Sequence, residues 1–374
     1  MLSGKPELLK KINTGSIVDM VRRDGPLSRA ELAKRLHMSR PTVSKLVSEL
    51  LAEQVLVEIG VGPSSGGKKP IYLQINSKGA YVIGVHVAYP TIRIALANNL
   101  GDVLKRGAIP APDSLDSLLD EIVSQAHELL GTAKLTANDL SAVGVAFSGI
   151  VNPQQGDILY ARFFPFVKGT TFKEQLEQRL RAPVFIDNDV YMGVLGEASV
   201  LDRQPYSLAF VTLGAMIGMG MMIEGQVFRG ARFAAGEIGD MLIDAPRQLS
   251  GGYHPEGGYL ERWLGALGNE GVLRAAQAGS EAALALVRED QTKLAVMLAN
   301  IVSLFDPERL IIGGTILQVQ DLFLPQIRTL LKDLTGRAIE LETAHYSEDS
   351  ELIGGIAKAI QSLQQKISIK QHGI

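Results

Sequence analysis

The chain contains no cysteine. That absence excludes disulfides, thiolate zinc sites, iron–sulfur clusters and a cysteine nucleophile. Long apolar runs are missing too. The longest, residues 211–223, is interrupted by Gly214, Gly218 and Gly220 and is far shorter than the ~20 residues a membrane-crossing helix needs. The opening MLSGKPELLKK carries charge with no apolar signal-peptide core behind it. Neither charge sign dominates, since 37 Lys+Arg stand against 40 Asp+Glu for a formal net charge of -3. This balance argues against global disorder and against a wholly basic coat for nucleic acid. The expectation is a soluble, cytoplasmic protein with no membrane partner. At 374 residues and 46% hydrophobic, the chain exceeds the ~250–300 residues of one core, so two or three domains are expected.

The charge that is present is unevenly placed. Residues 1–76 hold 12 Lys/Arg and 7 Asp/Glu, net +5, which leaves the remainder at -8. A small basic head on a larger acidic body points to a DNA-facing module joined to a unit that does not adhere to DNA.

Local signals within the head agree. Ile12, Val18, Met20 and Val21 suggest a first helix ended by Asp24-Gly25-Pro26. Ser28-Arg29-Ala30-Glu31 has the pattern of a capping box opening a second helix, whose apolar face is Leu32, Ala33 and Leu36. After a break at His37-Met38, Ser39 is the expected N-cap of a third helix, with Pro41 tolerated in its first turn. Val43, Leu46, Val47 and Leu50 recur at helical spacing and face inward, leaving Arg40, Thr42, Ser44 and Lys45 outward. This is a helix-turn-helix arrangement, in which the second helix of the motif enters the major groove and offers early side chains to bases and phosphates. Strands over 55–59 and 71–75 then flank a Gly-rich tip ending in Lys68 and Lys69, a wing able to reach DNA. The candidate DNA-binding residues are Ser28, Arg29, Ser39, Arg40, Pro41, Thr42, Ser44, Lys45, Lys68 and Lys69.

Residues 77–374 read as an α/β body. Strands are expected over 81–87, 91–97, 102–106, 142–147 and 184–186, with a helix over about 114–131. A similar series recurs at 208–213, 217–223, 226–228 and 310–312, the last feeding Gly313-Gly314. The echo suggests two related lobes about a cleft.

With these residues in view, the sequence resembles the ROK family of bacterial sugar-responsive repressors and sugar kinases over nearly its whole length. The resemblance is carried by the order and spacing of Gly66-Gly67-Lys68-Lys69-Pro70, Val145-Ala146-Phe147-Ser148-Gly149, Asp187-Asn188-Asp189, Ala235-Gly236-Glu237-Ile238-Gly239, Gly258-Tyr259-Leu260-Glu261, and Asp306-Pro307-Glu308 with Gly313-Gly314. It implies an N-terminal winged helix-turn-helix (1–76) on an actin-like (ribonuclease H-like), two-lobed sugar-kinase body. The first lobe would be 77–190 and the second 191–374, with a C-terminal helix returning to the first. It also implies a homodimer or homotetramer on a palindromic double-stranded DNA operator, with a sugar as effector.

Departures from the family pattern separate repressor from kinase. The kinases' Asp-x-Gly-Gly-Thr phosphate loop corresponds to His86-Val87-Ala88-Tyr89-Pro90, and their Gly-Thr-Gly loop to Gly214-Ala215-Met216. Phosphoryl transfer depends on positioning and charge neutralisation, so no catalytic residue and no cofactor are expected. The family's zinc ligands are absent as well, with Asp240 in place of a histidine and His254 alone in the following segment. The resemblance assigns sugar hydroxyls to Asn188, Asp189, Glu237, Asp240 and Glu261, with Asp189 at the kinases' catalytic-base position. Met216, Met219, Met221 and Met222 read as adaptable core, and His86 as a core or cleft histidine. The sugar itself stays open among xylose, glucose, N-acetylated sugars and their phosphates. An alternative is a regulator that has lost sugar and answers to a protein partner. An active kinase with a DNA head is disfavoured by both altered loops.

Overall fold

The computed structural model describes residues 5–61, 70–201, 205–214, 216–243, 257–337 and 339–370. The head comprises α1 (Lys5–Asp24), β1 (Leu27–Ser28), α2 (Arg29–Arg35), α3 (Arg40–Ala52), β2 (Leu56–Val61) and β3 (Ile71–Ile75). Its antiparallel sheet runs β1-β3-β2. Both expected caps form. The Ser28 hydroxyl accepts from the Glu31 amide while Glu31 reaches back to the Ser28 amide at 2.8 Å, and Ser39 accepts from the Thr42 amide. Val43, Leu46, Val47 and Leu50 of α3 close on Ile17, Val21, Leu32, Leu56 and Leu73 to make the head's core.

The body's first sheet is ordered β10-β7-β4-β5-β6. It is built from β4 (Tyr81–Val87), β5 (Thr91–Asn98), β6 (Val103–Pro110), β7 (Leu140–Phe147) and β10 (Val184–Asn188). Strands β4, β5 and β6 form an antiparallel meander, and β7 and β10 lie parallel to β4. α4 (Leu115–Thr132) and α5 (Phe172–Leu180) cover one face. β8 (Ile150–Asn152) and β9 (Asp157–Tyr160) form a small hairpin beyond β7.

The second sheet repeats this design. Its order is β13-β12-β11-β14-β15, from β11 (Ser207–Thr212), β12 (Gly218–Ile223), β13 (Gln226–Phe228), β14 (Arg309–Gly313) and β15 (Leu341–Thr343). Again three strands form a meander and two lie parallel to its first strand. Its outer face carries α9 (Glu281–Phe305) and α10 (Gln320–Thr335), while α7 (Tyr259–Trp263) and α8 (Glu270–Gln277) precede them.

Between the sheets run α6 (Asp189–Ala198) and α11 (Ser350–Lys370). α11 packs against α6, β4 and β7, placing the chain's last described helix on the first sheet. Glycine makes that approach possible, because a Cβ on Gly354 would meet the Met192 carbonyl at 1.7 Å. The Glu197 carboxylate fastens the end of α6 to the start of α11, accepting from the His345 and Tyr346 amides and the Ser350 hydroxyl. Among the described residues no helix is long and apolar enough to cross a membrane.

Candidate functional sites: a recognition helix and an acidic cleft

On the head, Arg40, Pro41, Thr42, Ser44 and Lys45 are exposed along the early turns of α3, opposite its buried apolar face. Ser39 and Thr42 share a hydroxyl–hydroxyl hydrogen bond of 2.7 Å, which fixes the start of the helix. Arg29 pairs with Glu58 of β2 at 3.0 Å, so part of its charge is compensated within the head. Ser28 requires a correction. It is 5% exposed, and its hydroxyl is committed to Glu31 at 2.7 Å, so it builds α2 and has no surface to offer DNA. Lys68 and Lys69 lie outside the described residues.

The cleft lies between the two sheets. Ser148, Gly149, Tyr160, Arg162, Asn188 and Asp189 line it from one side, and Thr212, Met216, Ile217, Glu237, Asp240, Gly258 and Glu261 from the other. The turn from β10 into α6 brings Asn188 and Asp189 to the floor. Asn188 also has a role in the fold. Its side-chain oxygen caps α6 through the Val190 and Tyr191 amides, and its amide nitrogen donates to the Gly149 carbonyl at 2.7 Å. The side chain therefore caps α6 and ties it to Gly149, and its second amide N–H is left to donate within the cleft that it lines. Asp189 accepts from the Ser148 hydroxyl and the Val190 amide.

Glu261 bridges the cleft. One carboxylate oxygen accepts from the Ile217 amide at 2.7 Å, and the other from the Gly258 amide at 2.9 Å and Arg162 at 3.0 Å. Arg162 lies beneath a ring stack, its guanidinium over Phe163, whose other neighbour is Tyr89 at 4.9 Å between centroids. Glu237 opens to solvent in the cleft mouth yet is crowded by protein elsewhere. Burial first, then the charges of Asp189, Asp240 and Glu261, raise its pKa to about 7. Asp240 is raised by burial and then by Glu261.

Behind the floor, His86 is the penultimate residue of β4. Its Nδ1 faces the Arg93 guanidinium at 3.1 Å, and its Nε2 points at Asp189 from 3.6 Å without a hydrogen-bond partner. Glu351 is wholly enclosed nearby, and burial raises its pKa despite the neighbouring His86. Asp187, with no exposed side-chain surface, receives two hydrogen bonds from Arg229 of the opposite lobe, at 2.6 and 2.9 Å.

Arg162, Tyr160 and Ser148 line the site, and the Asp187–Arg229 pair joins the lobes outside its lining; none was assigned a role from the sequence. A lone arginine before two phenylalanines carries no local signal, because its partner lies 99 residues away. Met216 lines the cleft, whereas Met219, Met221 and Met222 are buried core. His254 lies outside the described residues. Among those described, no group of three or more His, Asp or Glu is placed to hold a metal.

A ROK family model matches residues 82–362, and a model of winged helix-turn-helix DNA-binding domains matches 12–57. A putative xylose repressor from Caldicellulosiruptor sp. (strain Rt8B.4) is 28% identical over 358 residues, spanning 88% of this chain and 89% of its own. The N-acetylglucosamine repressor of Escherichia coli O157:H7 is 22% identical over 353 residues, spanning 88% and 86%. Among solved structures, a ROK family transcriptional regulator homologous to the Escherichia coli MLC protein superposes with a TM-score of 0.79 at 22% identity, covering 97% of this chain and 98% of that one. That likeness establishes the fold.

Proposed function

The chain belongs to the ROK family, and from that premise we propose that it is a DNA-binding, sugar-responsive transcriptional repressor. The observation that carries this reading is the face of α3, where Val43, Leu46, Val47 and Leu50 turn inward and Arg40, Thr42, Ser44 and Lys45 remain exposed at the end expected to enter a major groove. The relatives named for repression of xylose and N-acetylglucosamine genes support a sugar as effector. They also differ from one another in sugar, so the effector's identity comes from this cleft and not from the family.

The units act as a head (1–76), a first lobe (77–190) and a second lobe (191–374), with α11 laid back on the first. A homodimer or homotetramer presents two α3 helices to the half-sites of a palindromic operator. Asp189, Glu237, Asp240 and Glu261 offer acceptors to sugar hydroxyls, a task suited to carboxylates because each takes several donors. Sugar that binds the closed cleft more tightly shifts the lobes toward closure, and the heads move with the first lobe. The shift is limited to the sugar's differential affinity for the two states.

The protein acts without catalysis in this reading. The β4–β5 turn, where kinases of the family hold phosphate, carries Tyr89 and Pro90, and the Tyr89 ring stacks on Phe163. Proline lacks an amide donor, and no cluster of glycine amides faces the cleft from that turn. A regulator that has lost sugar and answers to a protein partner is the second reading. It draws support from Glu261, both of whose carboxylate oxygens already accept hydrogen bonds from the fold.

The test is operator selection from a random DNA pool with the full-length protein, followed by titration of xylose, glucose and N-acetylglucosamine into the complex. Recovery of a palindromic site whose occupancy changes with one sugar supports the proposal. A recovered site indifferent to every sugar favours the protein-partner reading.

A further inference from the structure

The charge inside the cleft restricts what can enter it. Asp189, Glu237, Asp240 and Glu261 all line it, and Arg162 is the one cationic lining side chain among the described residues. Arg162 is held by Glu261 at 3.0 Å. Beyond burial, Asp189, Asp240 and Glu261 add to the cost of ionising Glu237, and Glu261 adds to that of Asp240 against the opposing pull of Arg262 and Arg162. The lining therefore sets four carboxyl groups against one guanidinium, and because Glu237 is held at about 7 and is partly protonated at neutral pH, its excess negative charge lies short of three.

A second observation comes from beneath the floor. An arginine can only donate, so the contact from Arg93 to Nδ1 of His86 makes that nitrogen the acceptor and leaves the ring proton on Nε2. That N–H is buried, has no partner, and points at Asp189 from 3.6 Å, beyond hydrogen-bond reach. Asp189 thus has an N–H dipole behind it and its remaining acceptor capacity turned to the cleft.

Three kinds of sugar meet this lining differently. A neutral sugar supplies hydroxyl donors and leaves the excess charge untouched. A phosphorylated sugar adds negative charge to a site already repelling itself. A sugar with an ammonium in place of one hydroxyl brings three donors and the missing positive charge.

Resting on the reading of this cleft as a sugar site, we infer that it selects its ligand by charge, binding an amine-bearing monosaccharide more tightly than the neutral parent and rejecting the sugar phosphate.

The test is isothermal titration calorimetry on the full-length protein at neutral pH and low salt. The probes are glucosamine, glucose and glucose 6-phosphate, the same three forms of galactose, and xylose and N-acetylglucosamine as further neutral sugars. The expected result is about tenfold tighter binding of the amine than of its neutral parent in at least one series, with no heat from either phosphate. The difference should shrink on raising the salt to about 0.5 M and in Asp240→Asn. A neutral sugar that binds while its amine is silent or weaker overturns the charge inference and leaves the sugar site standing, as does binding of a phosphate. Silence from all eight probes overturns both.

Discussion

Arg22 of α1 donates a 2.7 Å hydrogen bond to the backbone carbonyl of Asn99, in the turn between β5 and β6. Asn99 in turn donates to the Asn76 carbonyl at 3.1 Å, and Leu100 beside it packs against the head's own core. The head is thus anchored to the edge of the first sheet by a buried guanidinium, whose pKa burial lowers against the opposing pull of Asp19. α1 also touches α11. The head is thus tied to the first lobe by contacts that cost free energy to break.

Arg22→Ala removes that anchor. A hydrogen bond from a charged group contributes roughly 1.5–3 kcal/mol, and the variant should lose stability on that scale by denaturant unfolding. Amide exchange should quicken in α1 and the β5–β6 turn, while the second sheet is unaffected. Unchanged exchange in α1 would place the head's anchor elsewhere.

Ser28 and Arg40 of the head separate a fold role from a reading role. Ser28→Ala should cost about 0.5–2 kcal/mol of head stability through loss of the cap, with operator selectivity unchanged. Arg40→Ala should weaken operator binding by roughly 1–3 kcal/mol if the side chain reads a base, with little effect on stability. Anisotropy titrations with cognate and single-substituted operators check both, and altered selectivity in Ser28→Ala would show that Ser28 contacts DNA.

The helix caps were legible in the sequence because they are local: Ser28 with Glu31 and Ser39 with Thr42 lie within one turn. The repeated strand series was legible because buried strands leave apolar runs. The cleft was legible only in part. The capping role of Asn188 was not legible, because an amide that caps a helix and one that binds a hydroxyl are the same residue at the same turn, and only the direction of its neighbours' N–H groups shows the cap. Arg162, Arg229 and Arg93 stayed hidden because their partners are brought together by the closing of two sheets, a relation that no spacing along the chain encodes.

The Asp187–Arg229 pair joins the two lobes. Burial raises the Asp187 pKa although Arg229 opposes it, so the carboxylate depends on its partner. Arg229→Ala should destabilise the body by about 3–5 kcal/mol, the usual cost of leaving one member of a buried pair alone. Unfolding in urea measures it, and a loss below ~1 kcal/mol would mean that the pair is solvated in solution.

Glu237 gives the body a pH signature. Its carboxyl is held at about 7 against an ordinary 4.5, so the folded state binds that proton more tightly than the unfolded chain. Stability contributed by this group is therefore present at low pH and lost as pH rises from about 4.5 through 7. Glu237→Gln should flatten that segment of the melting-temperature profile and leave the variant more stable than the parent at about pH 8. Parallel profiles for the two proteins would show that Glu237 does not titrate in this range.

The central claim is that cleft and DNA-reading helix share one equilibrium. Linkage makes the coupling reciprocal, whatever its route through α11 and the Arg22–Asn99 contact. The direct measurement is the affinity of the effector sugar for the full-length protein, free and saturated with operator. The account predicts that operator weakens sugar binding by the same factor by which sugar weakens operator binding. Equal sugar affinity in the two states would contradict it.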